Sequence, residues 1–298
     1  MVTKGEVNLD FLRRAQKLPR LGTGISTEFG ARSDGLDINR LSREHSNLVH
    51  FLEVGCDLER GVDLDTLEWI QKGLPTTYHF LDVNLEESDD LPKAWLAETA
   101  TLATDLKAHW LCGDAGLWHI GRRDHGHGTL MPPILCTESA AEMARGVRAI
   151  RAATGFEVLP ENPPAHLYLG DLHLLDYFAQ LLEQADTGML LDVSHLCVYQ
   201  KVMGFDLTDG VDGFPWERVT ELHIAGGSSF DFQGRTFFED DHGVEILEAS
   251  WQLFELALAR STNLKAVAFE CEHNRIDEVL PIFGRLADAF PLVAGDSP

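Results

Sequence analysis

A regular alternation limits the fold more than any other feature of this chain. Eight short apolar runs are separated by stretches with helical patterning: LGTGI (21–25), VHFLEVG (49–55), TTYHFLDV (76–83), KAHWLCG (107–113), FEVLPEN (156–162), GMLLDVSH (188–195), RVTELHIAG (218–226) and KAVAFECE (265–272). Runs this short and apolar suit strands buried on both faces, as in parallel sheets covered by helices. Between them, segments such as LPKAWLAETATLATDL, ESAAEMARGVRAIRAAT and DLHLLDYFAQLLEQA carry apolar residues at helical spacing. Eight such units predict a (β/α)8 TIM barrel, an α/β fold in one domain over residues 1–298, with 1–20 as an N-terminal extension and the core from about 21 to about 290. A doubly wound open sheet would place a Gly-rich turn after its first strand, and STEFGARSDG after the first run is no such turn.

The position of the polar residues narrows the reading. Nearly every predicted strand carries or ends in an ionisable residue: Glu53; His79 and Asp82; Asp114; Glu161; Asp192 and His195; His223; Glu270 and Glu272. In a barrel these C-terminal ends converge on one face, where active sites lie. Taken singly, Glu53, Asp82 or Glu272 serves equally well as a helix N-cap or a solvated loop residue, and a lone His79 or His223 is more often a hydrogen-bonded core residue. Together they change the reading. So many carboxylates and imidazoles on one buried rim would be costly without a cation. Carboxylate plus imidazole suits iron, manganese or zinc with open positions, and the carboxylate excess suits more than one ion. Downstream of the seventh run, Asp240-Asp241-His242 forms a compact ligand-like triplet, with helix capping as its simpler alternative. The stretch from His119 through Arg122 and Arg123 to His125 and His127 reads equally as a substrate loop or a solvated one.

Charge and cysteine usage exclude several classes. The net charge of −24 opposes nucleic-acid phosphates, which argues against an endonuclease. The five cysteines are scattered without a CxxC, so neither a disulfide framework nor a zinc ribbon is expected. No apolar stretch reaches the roughly 18 residues of a membrane helix. The opening MVTKGEVNLDFLRR lacks the apolar segment of a signal peptide, and a cytoplasmic location is expected. GxSxG, P-loop and HExxH motifs are missing from the sequence.

The ordered set Leu52-Glu53-Val54, His79, Leu130-Met131-Pro132-Pro133, Glu161-Asn162-Pro163, Asp192-Val193-Ser194-His195, His223-Ile224-Ala225-Gly226, Asp240-Asp241-His242 and Phe269-Glu270 resembles the multinuclear non-heme iron-dependent oxidative enzymes, a family of xylose-isomerase-like barrels. The resemblance runs from about Leu21 to about residue 290. It implies two or three iron ions, dioxygen as co-substrate, and oxidative modification of a cysteine in a ribosomally synthesised precursor peptide. It also implies a small partner protein that captures the peptide leader. The implied metal ligands are His79, Glu161, Asp192, His195, His223, Asp240, His242 and Glu270, with Glu161 as a bridge and with Glu161, Asp192 and His223 as the catalytic set. Apart from the resemblance, the candidate substrate contacts are Asp114 and the arginines Arg122, Arg123 and Arg235, since a guanidinium suits a substrate carboxylate through a bidentate contact. Two departures stand out. The family's Ser-Asp-His-Leu after strand four reads Gly113-Asp114-Ala115-Gly116, leaving Asp114 or His119 to replace that histidine, and its second histidine after strand seven is Gly227. Among family chemistries, excision of the β-carbon of a C-terminal cysteine is expected ahead of oxazolone and thioamide formation. The rivals from other classes are a divalent-metal sugar isomerase or epimerase and a non-enzymatic binding module.

Overall fold

The computed structural model describes residues 10–28, 35–123 and 130–292. In chain order the elements are α1 (Asp10–Ala15), β1 (Gly22–Glu28), α2 (Ile38–Glu44), β2 (Phe51–Cys56), α3 (Leu64–Gln71), β3 (Thr76–Phe80), α4 (Lys93–Asp105), β4 (Ala108–Asp114), β5 (Ile134–Leu135), α5 (Thr137–Thr154), β6 (Val158–Glu161), β7 (Leu169–Gly170), α6 (Leu174–Ala185), β8 (Met189–Asp192), α7 (Val193–Met203), β9 (Val219–Phe232), β10 (Arg235–Gly243), α8 (Glu248–Arg260), β11 (Ala266–Glu270) and α9 (Ile276–Ala289). Eight of the strands pair in parallel in the order β9-β11-β1-β2-β3-β4-β6-β8. A β8–β9 pairing, Asp192 opposite His223, closes the ring. This is the (β/α)8 barrel that the alternation of runs predicts, and each of the eight apolar runs supplies one strand. The strands are apolar on both faces because helices cover the outside and side chains fill the inside.

Inside the barrel, alternate residues change character along each strand. Lower in the ring a small apolar cluster includes Phe51, Trp110, Leu159, Leu190, Ala266 and Ala268. Two residues further along lie Glu53, Cys112, Glu161, Asp192 and Glu270. Side chains alternate with period two along a strand, so the same face runs from a dry floor to a polar rim. Where β6 and β8 pair through one register position only, Asn162 takes over: its amide donates to Asp192 O at 2.9 Å and its carbonyl accepts from Asp192 N at 3.0 Å.

Three parts differ from the sequence expectation. The described part of the N-terminal extension is no appendage, because α1 packs on the ring with Phe11 and Ala15 fully buried and Arg14 paired to Glu157 and Asp186 at the strand-entry rim. The run ending in Asp192-Val193-Ser194-His195 turns helical immediately after Asp192. The segment carrying Asp240-Asp241-His242 is β10, antiparallel to an extended β9, and not a helix cap. No helix among the described residues is long and apolar enough to cross a membrane.

Candidate metal centre

Strand ends build the site. His79 of β3, Asp114 ending β4 and Glu161 ending β6 place one donor atom each within 4.8 Å of one another, and so do Glu161, His223 of β9 and Glu270 ending β11. Two more trios, Glu161–Asp192–His195 and His195–Asp240–Glu270, continue the cluster. Glu161 therefore belongs to three of these four trios, and its Oε2 lies 2.7 Å from His79 Nε2. His242 stands at the edge, with Nε2 3.7 Å from both Asp240 Oδ2 and Glu270 Oε2.

Local structure explains how Asp192 and His195 come together. Asp192 is the N-cap of α7, and its Oδ1 accepts from the His195 backbone N–H at 2.6 Å. Capping satisfies one otherwise orphaned amide of the helix. It uses one carboxylate oxygen and leaves the other turned to the cluster.

Each of three histidines has a further partner on its ring. His195 Nδ1 lies 2.8 Å from Asn162 O, His223 Nε2 3.0 Å from Glu53 Oε1 and His242 Nδ1 2.9 Å from Glu272 Oε1. An acceptor behind a metal-binding imidazole fixes its tautomer and orientation. Glu53 and Glu272 thus do what neither simple reading assigns them, since both are fully buried and neither caps a helix. Ser26, Thr77 and Cys112 also donate to Glu53. Asp82 is buried as well and accepts from Trp95 Nε1.

The donors fit a bound cation group. Asp114 Oδ1, Glu161 Oε1, Asp192 Oδ2 and Glu270 Oε2 are buried, and among the described residues no hydrogen-bond donor reaches them. Buried carboxylate oxygens in that state are expensive unless a positive charge faces them. Burial pushes the Glu161 and Asp114 carboxyls well above their usual range, and burial lifts Asp192 to about 6. Burial opposes charge on His195, His223 and His242, yet the facing carboxylates hold all three well above the ordinary imidazole value. Next to the trios, burial raises Glu53 but His223 overcomes it and holds the carboxyl at about 2, while burial and the Glu53 charge push Glu221 to about 8. Metal ions would take over the neutralising role of these protons.

The remaining candidates separate cleanly. Asp114 lies inside the cluster, with one donor atom beside those of His79 and Glu161. His119 does not replace the missing strand-four histidine: its Nε2 lies 3.0 Å from Asp90 Oδ2 and its Nδ1 2.7 Å from Gly121 O. Arg123 is committed to Asp90 at 2.9 Å and to Asp82 at 3.7 Å, which leaves it poorly placed to clamp a substrate carboxylate. Arg122 is exposed on the same loop. Arg235 begins β10, its side chain lies outside the described residues, and so do His125 and His127. Glu28, ending β1, lines the same pocket and is missing from the sequence-derived set, because a strand-end Glu before an unpatterned loop carries no distinguishing signal. Gly227 in place of the family's histidine has a steric reason: a Cβ there would sit 2.1 Å from Glu239 O of β10.

Comparison with known proteins agrees with the fold and places the chain. Solved structures with the same architecture include the IOLI protein with a bound zinc atom (TM-score 0.56, 12% identity, 91% of this chain and 100% of that one). Another is the 3-keto-D-glucoside 4-epimerase YcjR from E. coli (TM-score 0.53, 13% identity, 90% and 98%). At such identities the likeness concerns the fold alone. Curated relatives include UPF0276 proteins of Anaeromyxobacter sp. strain Fw109-5 (26% identical over 230 residues, 76% of each chain) and Acaryochloris marina (29% over 221 residues, 72% of this chain and 78% of that one). The family profile described as RiPP precursor modification enzyme MbnB/TglH/ChrH matches residues 33–286. With most of its length matched, the chain belongs to the MbnB/TglH/ChrH family of enzymes that modify precursors of ribosomally synthesised and post-translationally modified peptides.

Proposed function

We propose that this enzyme oxidises a cysteine of a ribosomally made precursor peptide, using dioxygen and two or three iron ions held at the barrel rim. The observation that carries the reading is Glu161, a single carboxylate common to three adjoining donor trios. A shared carboxylate is how neighbouring ions are held a few ångströms apart. The trios around it contain no thiol, a donor set that suits iron, manganese or zinc. Iron and cysteine as target come from the family resemblance.

His79, Asp114, Glu161, Asp192, His195, His223, Asp240, His242 and Glu270 would hold the ions. Bound irons would supply Lewis acidity toward the substrate thiol and electrons for dioxygen. The chain itself positions and excludes water. The space at the trios is about 30 Å³, room for one or two water-sized ligands. Glu53 and Glu272 anchor the outer nitrogens of His223 and His242, so these imidazoles present a fixed face inward. A small partner that binds the peptide leader completes the proposed system. The narrower reaction is excision of the β-carbon of a C-terminal cysteine.

Metal analysis of anaerobically purified protein, with Mössbauer spectroscopy and dioxygen uptake on a cysteine-bearing precursor, tests this. Two or three coupled irons per chain and cysteine-dependent uptake are expected. Zinc or manganese alone after iron reconstitution would overturn the reading in favour of a divalent-metal epimerase.

A further inference from the structure

A second, larger space adjoins the metal centre. Its volume is about 630 Å³, against about 30 Å³ at the trios. The larger figure lies within the ~300–1,000 Å³ usual for ligand pockets. Leu130, Pro164 and Asp240 line both spaces, so the two meet at these residues. Three segments form most of the larger wall, the stretch before and into β5, the stretch from the β6–β7 loop into β7, and Phe238–Asp240 of β10, with Leu117 and Val198 of α7 completing it. Its walls are mostly apolar, and large side chains stand exposed at its rim: Ile134 at 57%, Leu167 at 66% and Leu169 at 59%. A contiguous exposed apolar patch marks a contact surface. Among the described residues β10 pairs with β9 alone, so its other edge carries backbone groups with no ladder partner.

We propose that this groove is a subsite for an extended stretch of the substrate peptide, seating an aliphatic or aromatic side chain between Ile134, Leu167 and Phe238. The inference rests on the substrate being a peptide, as proposed above. Phe238 precedes Asp240 by two residues in β10, and an extended chain advances about 3.3 Å per residue. The seated side chain is therefore about two residues from the one that reaches the metal centre. A peptide is favoured over a second copy of this chain on two grounds. The space beside the metal centre is only about 30 Å³ where the groove itself is about 630 Å³, so one side chain of an extended segment fits there and a folded surface does not. A net charge of −24 also opposes self-association. With Glu239 and Asp240 in the wall, acidic flanking residues are disfavoured.

The probes are two fluorescein-labelled peptides with one cysteine, carrying leucine or serine two residues to either side of it. Binding to the full chain is read by fluorescence polarisation under nitrogen, with and without iron. The leucine peptide is expected to bind roughly 10-fold more tightly or better, the effect of burying one such side chain. Leu167→Asp is expected to abolish that preference, while Leu64→Asp, at a site on α3 that is 82% exposed, leaves it intact. Equal affinities, no binding of either peptide, or a preference that survives Leu167→Asp would each overturn the proposal. So would a dimer in sedimentation that Leu167→Asp dissolves, since the groove would then belong to a second copy. The readout needs no turnover: a leucine preference in a chain that never takes up iron would sink the oxidase reading alone, and coupled irons without the preference would sink this one alone.

Discussion

Glu161 ends β6 with Oε2 2.7 Å from His79 and Oε1 3.5 Å from His223 Nδ1 and 3.7 Å from His195 Nδ1. No other residue reaches three trios. Glu161→Gln keeps the shape and removes the charge. It is expected to lower bound metal by at least one ion per chain and turnover by ~100-fold or more, beyond the 10–100-fold typical of losing an outer partner; metal analysis and dioxygen uptake measure both. Asp192 separates two roles of one carboxylate. Asp192→Asn can still cap α7 through its amide oxygen and is expected to retain wild-type stability within ~0.5 kcal/mol while losing metal affinity. Asp192→Ala forfeits the cap as well, at about 1 kcal/mol, which urea melts would resolve from metal titrations.

At the scale of elements, the β9–β10 hairpin decides the last two donors. β9 runs past the barrel rim, and β10 returns along it to place Asp240 and His242 over the strand ends. The close approach requires glycine. A Cβ on Gly226 would lie 2.3 Å from Gly243 O, as one on Gly227 would from Glu239 O at 2.1 Å. Gly226→Ala is expected to push β10 outward, cutting metal affinity about 10-fold or more while leaving the melting temperature nearly unchanged, because the hairpin lies outside the closed ring; calorimetric metal titration and thermal melts check the pair of outcomes. The same geometry explains why the sequence left helix capping open as an alternative for Asp240-Asp241-His242. Hairpin pairing is set by contacts across the turn at Gln233-Gly234, and the apolar run of β9 ends well before them.

For the whole molecule, ions held by this cluster would couple metal binding to folding. Five carboxylates meet at the C-terminal end of a ring whose other end carries α1. Metal bound at 100 times its dissociation constant stabilises the fold by about 2.7 kcal/mol. Chelator treatment is therefore expected to lower the melting temperature by several degrees, and restoring the ions to recover it, as differential scanning calorimetry would show. Ions must displace protons from the donor groups, so loading is expected to release protons and affinity to weaken as pH falls. Titration calorimetry in two buffers of unlike ionisation enthalpy gives the count.

The barrel was legible because its signals are local. Short apolar runs and helical spacing are properties of neighbouring residues, and eight of them in alternation leave few architectures. His79, Glu161, Asp192, His223 and Glu270 were legible for a related reason: parallel strands in a closed ring point their C-terminal ends one way, so position in the run tells which end of the barrel a residue occupies. What lies between distant segments was not written in any one of them. Glu53 and His223 are 170 residues apart and meet only because β2 and β9 face across the ring. Arg123 and His119, plausible as substrate and metal groups, are claimed by Asp90 of another loop. Patterning along the chain determined the ring and the rim; pairing of buried charges, which depends on distances that only closure brings about, decided which rim residues meet in the candidate metal cluster and which pack behind it.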